Sequence, residues 1–312
     1  MYRVLRRLGP VARDLFRLLI FAVGYVVTTV VPARFDPWVA TQLTALFARV
    51  GRRRIRDLAT NMRGRLPRLP EDDPDGLDMA LAHYAMRIEN IWVRLRSLHG
   101  PLHHLIYEME GRHHYDRAVN AGKGVILWRM RFCNAPCENA ALAQHRIAPI
   151  HLSMAFHGAT SRTWIARRLV SPIFARTESW NLRERVVIPA DGSLGYMRVL
   201  MECLRRNGTL SIFGDGGLGR QTISTRLLDI TAHFPTGSPA LAHRHGSVLL
   251  PVHAERTGPC RYRVVIEEPI QISKDLKRDE FVRQAIMEFS DRLESQILAR
   301  PADWIGWMGS IV

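Results

Sequence analysis

The chain has 312 residues, of which 47% are hydrophobic and 23% are charged, so it is long and apolar enough to bury a full core. This composition excludes an intrinsically disordered protein. The formal net charge of +15 suggests a negatively charged partner. The distribution of that charge along the chain indicates which class of partner to expect.

Most of the positive charge lies at the N-terminus. Residues 1–70 contain fourteen arginines and three aspartates, which account for eleven of the fifteen net positive charges. These arginines flank an apolar run, and no recognised nucleic-acid-binding motif interrupts them. The pattern therefore disfavours a nucleic-acid-binding protein, and we expect no nucleic-acid partner.

The apolar run at residues 18–31 has about 14 residues, fewer than the ~20 that a membrane-spanning helix needs. Four interpretations fit it: a cleaved signal peptide, a single spanning anchor, a helix embedded from one face, and a buried core helix. Basic residues on both flanks favour a segment that enters and leaves at the anionic cytoplasmic face of the inner membrane. We therefore predict that residues 1–70 form a basic, membrane-associated helical region whose partners are membrane lipids.

A Pro- and Asp-rich stretch separates this region from residues 71–312, which we predict to form one α/β domain. Apolar positions at helical spacing predict a long helix over residues 76–98. The patterns beyond it predict strands at residues 124–128, 148–152, 185–189, 209–213, 247–253 and 262–268. Helices are predicted near residues 135–145, 160–170, 193–206, 236–245 and 278–299. This order predicts a single mixed, mostly parallel sheet flanked by helices.

Cysteines and histidines do not form a disulfide framework or a metal site. Four cysteines are too few to staple a chain of this length, so we expect reduced thiols. Cys133 and Cys137 lack the second pair of a zinc site, and no His-Glu-x-x-His motif occurs in the sequence. We therefore expect no metal.

Residues 214–219 match the pattern Gly-x-Gly-x-x-Gly after a predicted strand. A dinucleotide site requires a helix after this pattern, whereas the residues that follow are rich in Thr and Ser. The sequence therefore does not indicate a nicotinamide or flavin cofactor.

Four segments carry a family resemblance: residues 121–127, 196–215, 234–252 and 297–307. In this order they are similar to a lead-in strand, a helix and strand that end in an acidic loop, a Thr-Gly helix with a buried strand, and a closing segment with two tryptophans. The chain thus resembles the lysophospholipid acyltransferase superfamily, and within it the lipid A late acyltransferases and the related mannoside acyltransferases.

The resemblance implies an acyltransferase without a resident cofactor, since the acyl group arrives on a co-substrate thioester, either acyl carrier protein or coenzyme A. Acyl carrier protein is therefore a candidate partner. The resemblance also implies an acceptor site, for which the substrate-binding candidates are Asp215, Gly216, Thr236 and Gly237.

The signature of that superfamily is His-x4-Asp/Glu, in which the histidine is the general base for an acceptor hydroxyl and the acid orients the imidazole. Here Arg131 stands at the histidine position and Pro136 at the acid position. The nearest carboxylate is that of Glu138, so Arg131 and Glu138 are the candidate catalytic residues.

Three hypotheses account for an arginine at this position. Arg131 could bind an anionic group of the acceptor while another residue supplies the base. The acceptor could be an amine that needs little activation, so that positioning and oxyanion stabilisation carry the rate. Alternatively, the protein could be a noncatalytic relative that binds lipid or acyl carrier. The candidate bases for the first hypothesis are Glu138, His145, His151, His157 and Asp215.

Structural roles compete with these functional ones. Arg131 could form an ion pair with Glu138 or Asp215. Asn134 could bind substrate or cap the helix predicted at residues 135–145, whose dipole Glu138 would complement. Because ligands collect at the ends of parallel strands, we predict that Asp215 and Gly216 face the turn at Arg131 and form one pocket with it.

Overall fold

The computed structural model describes residues 9–308 except residues 101–105, 134, 155–162, 190, 192, 217–220 and 274. The N-terminal part contains four helices, α1 Pro10–Val30, α2 Asp36–Val50, α3 Arg52–Arg63 and α4 Leu77–Ser97. The strands that follow are β1 Ile106–Glu110, β2 Val125–Arg129, β3 Ile150–Met154, β4 Glu184–Ile188, β5 Thr209–Phe213, β6 Thr222–Leu227, β7 Ile230–Pro235, β8 Val248–Gly258 and β9 Arg261–Ile266. The helices among them are α5 Arg112–Asn120, α6 Ala135–Gln144, α7 Ser171–Ser179, α8 Gly195–Arg205, α9 Gly237–His245 and α10 Arg278–Ala299.

Seven strands form one sheet in the order β1-β9-β8-β2-β5-β3-β4. Every neighbouring pair is parallel except β8 and β9. Strands β6 and β7 form a separate antiparallel hairpin. The predicted mixed, mostly parallel sheet flanked by helices is confirmed.

The central strand β2 is buried on both faces, as its continuous apolar sequence requires. Ile126, Trp128 and Met130 lie in the larger core cluster with α10, where Trp128 stacks on Phe289 at 4.2 Å between ring centroids. Val125 and Leu127 lie in the other cluster, with apolar residues of α6. The carboxyl ends of β2 and β5 therefore meet at a well-packed edge of the sheet.

The strand predicted at residues 209–213 and the helix predicted at residues 278–299 are confirmed with the same bounds. The first part of the helix predicted at residues 160–170 lies outside the described residues. In the described part, the helix continues through a π-helical segment, Ala166–Val170, and then through α7, so it ends nine residues later than predicted. Strand β1 and the β6–β7 hairpin have no counterpart in the predictions.

The N-terminal helices pack on the α/β domain mainly through α4, which contacts α1, α2 and α3. Among the described residues, no single helix has both the length and the apolar composition of a membrane span. Helix α1 and the segment Ala33–Val50 satisfy those two criteria only when taken together, and they meet at a bend of 117°.

Two glycines before β2 provide a test of this packing. Both have positive φ, +70° at Gly122 and +74° at Gly124, but a Cβ on Gly124 would lie 2.9 Å from the backbone of Leu204, whereas a Cβ on Gly122 would meet open space. We expect Gly122→Ala to lose about 1–2 kcal/mol from left-handed strain alone. Gly124→Ala should lose a further ~1–3 kcal/mol because the β2 and α8 backbones must separate. Urea unfolding of the two variants measures the difference, and equal losses would contradict this packing.

Candidate active site

Arg131 lies in the turn that follows β2, at the carboxyl edge of the sheet. The turn after β5 is held beside it, since the Gly214 N–H donates to the carbonyl of Arg129 at 2.8 Å. The C-terminal segment crosses the same place, where the Ile305 N–H donates to the carbonyl of Arg131 at 2.9 Å. Three distant parts of the chain thus meet at Arg131.

The Asp215 carboxylate holds these parts together. Its oxygens accept the backbone N–H of Arg131 at 3.1 and 3.2 Å, and Oδ1 also accepts the guanidinium Nε at 3.2 Å. The other oxygen accepts the indole N–H of Trp304 at 3.1 Å. Asp215 is fully buried, and its own carbonyl accepts Nη2 of Arg131 at 2.5 Å. The predicted juxtaposition of Asp215 with the Arg131 turn is confirmed.

The Arg131 side chain is 20% exposed, so a fixed cation reaches the surface at this edge. A Cβ on the neighbouring Gly216 would meet no atom within 4 Å, which leaves room beside the turn. A guanidinium cannot take a proton, but it can hold a phosphate, a carboxylate or a developing oxyanion. The chemistry available at this turn is therefore the stabilisation of negative charge.

Glu138, the second candidate catalytic residue, does not pair with Arg131. Its carboxylate lies 2.5 Å from Nε of Arg129, and both side chains are almost completely buried. Burial raises the pKa of Glu138, and Arg129 opposes that rise. The ion pair considered for Arg131 is thus made with Asp215, and a catalytic role for Glu138 stays a prediction.

For two of the other candidate bases, His145 and His151, the contacts of the structure are with residues other than Arg131. His145 follows the C-terminal end of α6, where its carbonyl accepts Arg112 at 2.5 Å. His151 is buried on β3, with Nδ1 at 3.0 Å from the Ser211 hydroxyl and Nε2 at 3.4 Å from Glu178. His157 lies outside the described residues.

The remaining described substrate-binding candidates, Thr236 and Gly237, lie together at the start of α9. Thr236 precedes α9 and its N–H donates to the carbonyl of Gln221 at 3.1 Å, while Gly237 begins the helix and faces open space. Asn134 lies outside the described residues. Cys133 adopts a left-handed φ of 48° and is buried, and burial together with the nearby Asp303 raises its thiol pKa well above the usual value. A raised pKa makes the thiol unreactive.

The structure adds His253 to the neighbourhood of the turn. Its ring lies 6.0 Å from that of Phe132, and its nitrogens lie 3.3 Å from Glu255 and 3.1 Å from Glu267. Burial opposes protonation of His253, but the two carboxylates outweigh it and raise its pKa. The spacing of His253 and Glu255 on one face of a strand is the sequence signal that could have indicated this pair.

Cavity size does not locate the site. A cavity of about 600 Å³ opens where β8 begins, at the opposite edge of the sheet, and one of about 720 Å³ lies between α8 and α9. Neither is lined by Arg131 or Asp215, so the assignment rests on side-chain chemistry. Among the described residues, no group of three or more His, Cys, Asp or Glu could hold a metal ion.

Removing the charge of Asp215 should destabilise the protein at the carboxyl edge of the sheet. Asp215→Asn leaves the Arg131 guanidinium without its buried counter-charge. We expect the free energy of unfolding to fall by at least ~2 kcal/mol but by less than the 3–5 kcal/mol typical of fully buried pairs, because Arg131 is partly exposed. Asp229→Asn, in an exposed pair with Arg226, is the matched control and should change stability by under ~0.5 kcal/mol. Urea denaturation measures both, and similar effects in the two variants would argue against Asp215 as the link.

The charge of His253 should appear in the pH dependence of stability. Because its folded pKa is raised, its contribution is complete below the ordinary histidine pKa of about 6.5 and is lost as the pH rises through the folded value. His253→Gln should therefore destabilise the protein most near pH 6 and progressively less at alkaline pH. Urea unfolding between about pH 5.5 and pH 9 measures this difference. A difference that stays constant over that range would mean that His253 contributes packing and not charge.

The solved structure of the 1-acyl-sn-glycerophosphate (LPA) acyltransferase PlsC from Thermotoga maritima is similar over 86% of this chain and 98% of its own, with 14% sequence identity and a TM-score of 0.39. A comparison with curated proteins finds no match.

The sequence also matches a family described as bacterial lipid A biosynthesis acyltransferase, and the match extends over residues 13–308. It covers the N-terminal helices, the Arg131 turn, Asp215 and the closing tryptophans. The chain therefore belongs to the bacterial lipid A biosynthesis acyltransferase family.

Proposed function

We propose that the protein transfers a fatty acyl or related group from a thioester to a lipid or small-molecule acceptor at the membrane, through a site where Arg131 replaces the usual histidine. The observation that carries this proposal is the Arg131 guanidinium, which Asp215 fixes at the carboxyl edge of the sheet. Family membership supplies acyl transfer as the reaction class.

In this reaction the acceptor nucleophile attacks the thioester carbonyl, and negative charge develops on the carbonyl oxygen. The carbon–sulfur bond then breaks, and the proton of the acceptor ends on the departing thiol. A positioned donor for such an oxyanion is worth about 10²–10³ in rate, and a general base about 10²–10⁴. Arg131 supplies the first effect and not the second. The proposal therefore favours an acceptor that needs little deprotonation, such as an amine, or one whose own anionic group binds the guanidinium.

The donor is a carrier-bound or coenzyme A thioester, and no resident cofactor takes part. We place the reaction at the cytoplasmic face of the inner membrane, where acyl thioesters and lipid acceptors meet. The basic, apolar N-terminal helices support this location. The competing function is noncatalytic binding of lipid or acyl carrier, which would suit the buried pairing of Glu138 with Arg129 and of His151 with Glu178.

The test compares acyl transfer by the purified protein and by Arg131→Ala and Arg131→Lys variants. Mass spectrometry of lipids from cells with and without the protein first identifies the acceptor. We expect both variants to lose about 10²–10³ in kcat/KM, because lysine cannot reproduce the planar donor of arginine. Arg206→Ala, which removes an exposed arginine paired with Glu202, is the matched control and should leave activity unchanged.

The double variant Arg131→His with Pro136→Glu restores the family pattern and decides between the remaining explanations. We expect it not to exceed the wild type, with folding verified by circular dichroism because Pro136 is buried. A more active double variant would mean that Arg131 is a lesion in an ordinary site. A wild type that binds thioester without turnover would establish the noncatalytic function.

A further inference from the structure

The α8–α9 cleft, the cavity between these two helices, has a volume of about 720 Å³. This size falls within the range of roughly 300–1,000 Å³ that is typical of small-molecule sites. Its described lining contains two arginines and no acidic side chain, and it consists of Leu194, Gly195, Met197, Arg198, Met201 and Arg244. An amphipathic ligand with a negative charge therefore suits the cleft.

The two arginines of the cleft are available to a ligand. Arg198 and Arg244 are exposed, and neither forms an ion pair or a side-chain hydrogen bond with a described residue. Glu202, one helical turn beyond Arg198, instead pairs with Arg205 at 2.8 Å and Arg206 at 2.6 Å. A guanidinium binds phosphate through two parallel hydrogen bonds. One such cation from each helix, at a single cleft without an acid in its lining, indicates a phosphate site.

The rest of the lining is apolar and adaptable. Met197 and Met201 lie one turn apart on α8, and both line the cleft. Methionine side chains adjust to irregular ligands because they are unbranched and polarisable. Leu194, which is 56% exposed, lies where α8 begins. These side chains form an apolar path beside the arginines, so the ligand that fits carries a flexible chain on its phosphate.

The cleft is aligned with the strands below it. Helix α8 contacts β4 and β5, whereas α9 contacts β2 and β8, so the cleft lies over the boundary between the neighbouring strands β2 and β5. Helix α8 runs from the carboxyl end of β4 to the amino end of β5, which places Leu194 at the end of the cleft nearer the carboxyl edge. The cleft therefore leads toward the edge where Arg131 and Asp215 meet.

We propose that the α8–α9 cleft binds the phosphopantetheine arm of the thioester donor, with the phosphate between Arg198 and Arg244 and the thioester directed past Leu194 toward Arg131. This arm is a flexible chain with a phosphate at one end and sulfur at the other, in the order that the lining requires. Coenzyme A and acyl carrier protein both present it. The direction of delivery rests on the proposed function, whereas binding of the phosphate in the cleft does not.

Titration calorimetry with coenzyme A measures binding without acyl transfer. Arg198→Ala and Arg244→Ala should each weaken binding about tenfold, since each removes a charge-assisted contact to phosphate. Pantetheine, which lacks the phosphate, should bind the wild type at least tenfold more weakly than phosphopantetheine does. Arg117→Ala, at an exposed arginine that lines the other cavity, is the matched control and should bind like the wild type. An equal loss in this control would move the phosphate out of the α8–α9 cleft and overturn the proposal.

Acyl carrier protein distinguishes the two sources of the arm. If the carrier is the donor, its holo form should bind in a manner that depends on Arg198 and Arg244, and its apo form, which lacks the arm, should bind much more weakly. If coenzyme A is the donor, coenzyme A should bind and the holo carrier should not. Equal binding of the apo and holo forms would mean that the protein surface of the carrier is recognised instead of the arm. That result, or binding of neither probe, would overturn the proposal.

Thiol capture tests the direction of the arm. The cysteines of the chain are all buried, so a cysteine introduced at Leu194 is the accessible one. Its thiol attacks the disulfide of oxidised coenzyme A, forms a mixed disulfide and releases one coenzyme A. We expect this exchange to be at least tenfold faster than for Met287→Cys, at a half-exposed position on α10, and adding Arg198→Ala should abolish the advantage. Equal rates in the two cysteine variants would contradict the path past Leu194.

Steady-state kinetics separates this inference from the proposed function. Arg198→Ala should raise KM for the thioester with little change in kcat, whereas Arg131→Ala should lower kcat and leave the dissociation constant of coenzyme A unchanged. Binding that depends on Arg198 and Arg244 in a protein without turnover would support the cleft and refute the proposed catalysis alone. Turnover with an unchanged KM in both cleft variants would refute the cleft alone.

Discussion

The buried carboxylate of Asp215 is the constraint on which the carboxyl edge of the sheet depends. It accepts the Arg131 backbone and guanidinium from the turn after β2 and the indole of Trp304 from the C-terminal segment, while itself belonging to the turn after β5. Burying this carboxylate is favourable only because every donor it needs is present. Arg131 is thus both the counter-charge of this buried carboxylate and a cation that reaches the solvent, so the stability of the edge and its exposed positive charge depend on one residue.

Arginine serves two distinct purposes along this chain. In the α/β domain, arginines neutralise acids that the fold buries, as Arg129 does for Glu138 and Arg256 does for Glu89. In α2 and α3, by contrast, Arg49, Arg52, Arg53 and Arg54 are exposed. The net charge therefore reflects a surface property of one region, since the interior pairs cancel.

The sequence predicted the fold better than the site. Strong periodicity predicted α10 and the apolar run predicted β5, but the β6–β7 hairpin was missed. Strand β6 has only two apolar residues, Ile223 and Leu227, so its pattern shows little contrast, although β7 does alternate, with Ala232 and Phe234 buried. Spacing placed Asp215 against Arg131, since both follow adjacent parallel strands. Spacing could not identify the ion-pair partner of Glu138. Arg129 belongs to a continuous buried strand, and nothing in the sequence shows that its guanidinium turns toward α6. Pairing of buried charges depends on side-chain direction, which sequence spacing does not encode.

In the reaction that we propose, Arg131 occupies the position of the family's histidine and cannot accept the acceptor's proton. Where no other side chain takes that proton, it leaves through the departing thiolate or through water. A thiolate is formed only as the tetrahedral intermediate collapses, which suits an amine that attacks first and loses its proton afterwards better than a hydroxyl that must lose it early. Charge stabilisation by a guanidinium is also strongest away from bulk water, and the Arg131 side chain is only 20% exposed beside the buried Asp215. A site that relies on charge stabilisation, as we propose for Arg131, therefore gains most where the surroundings limit access of water and concentrate the acceptor.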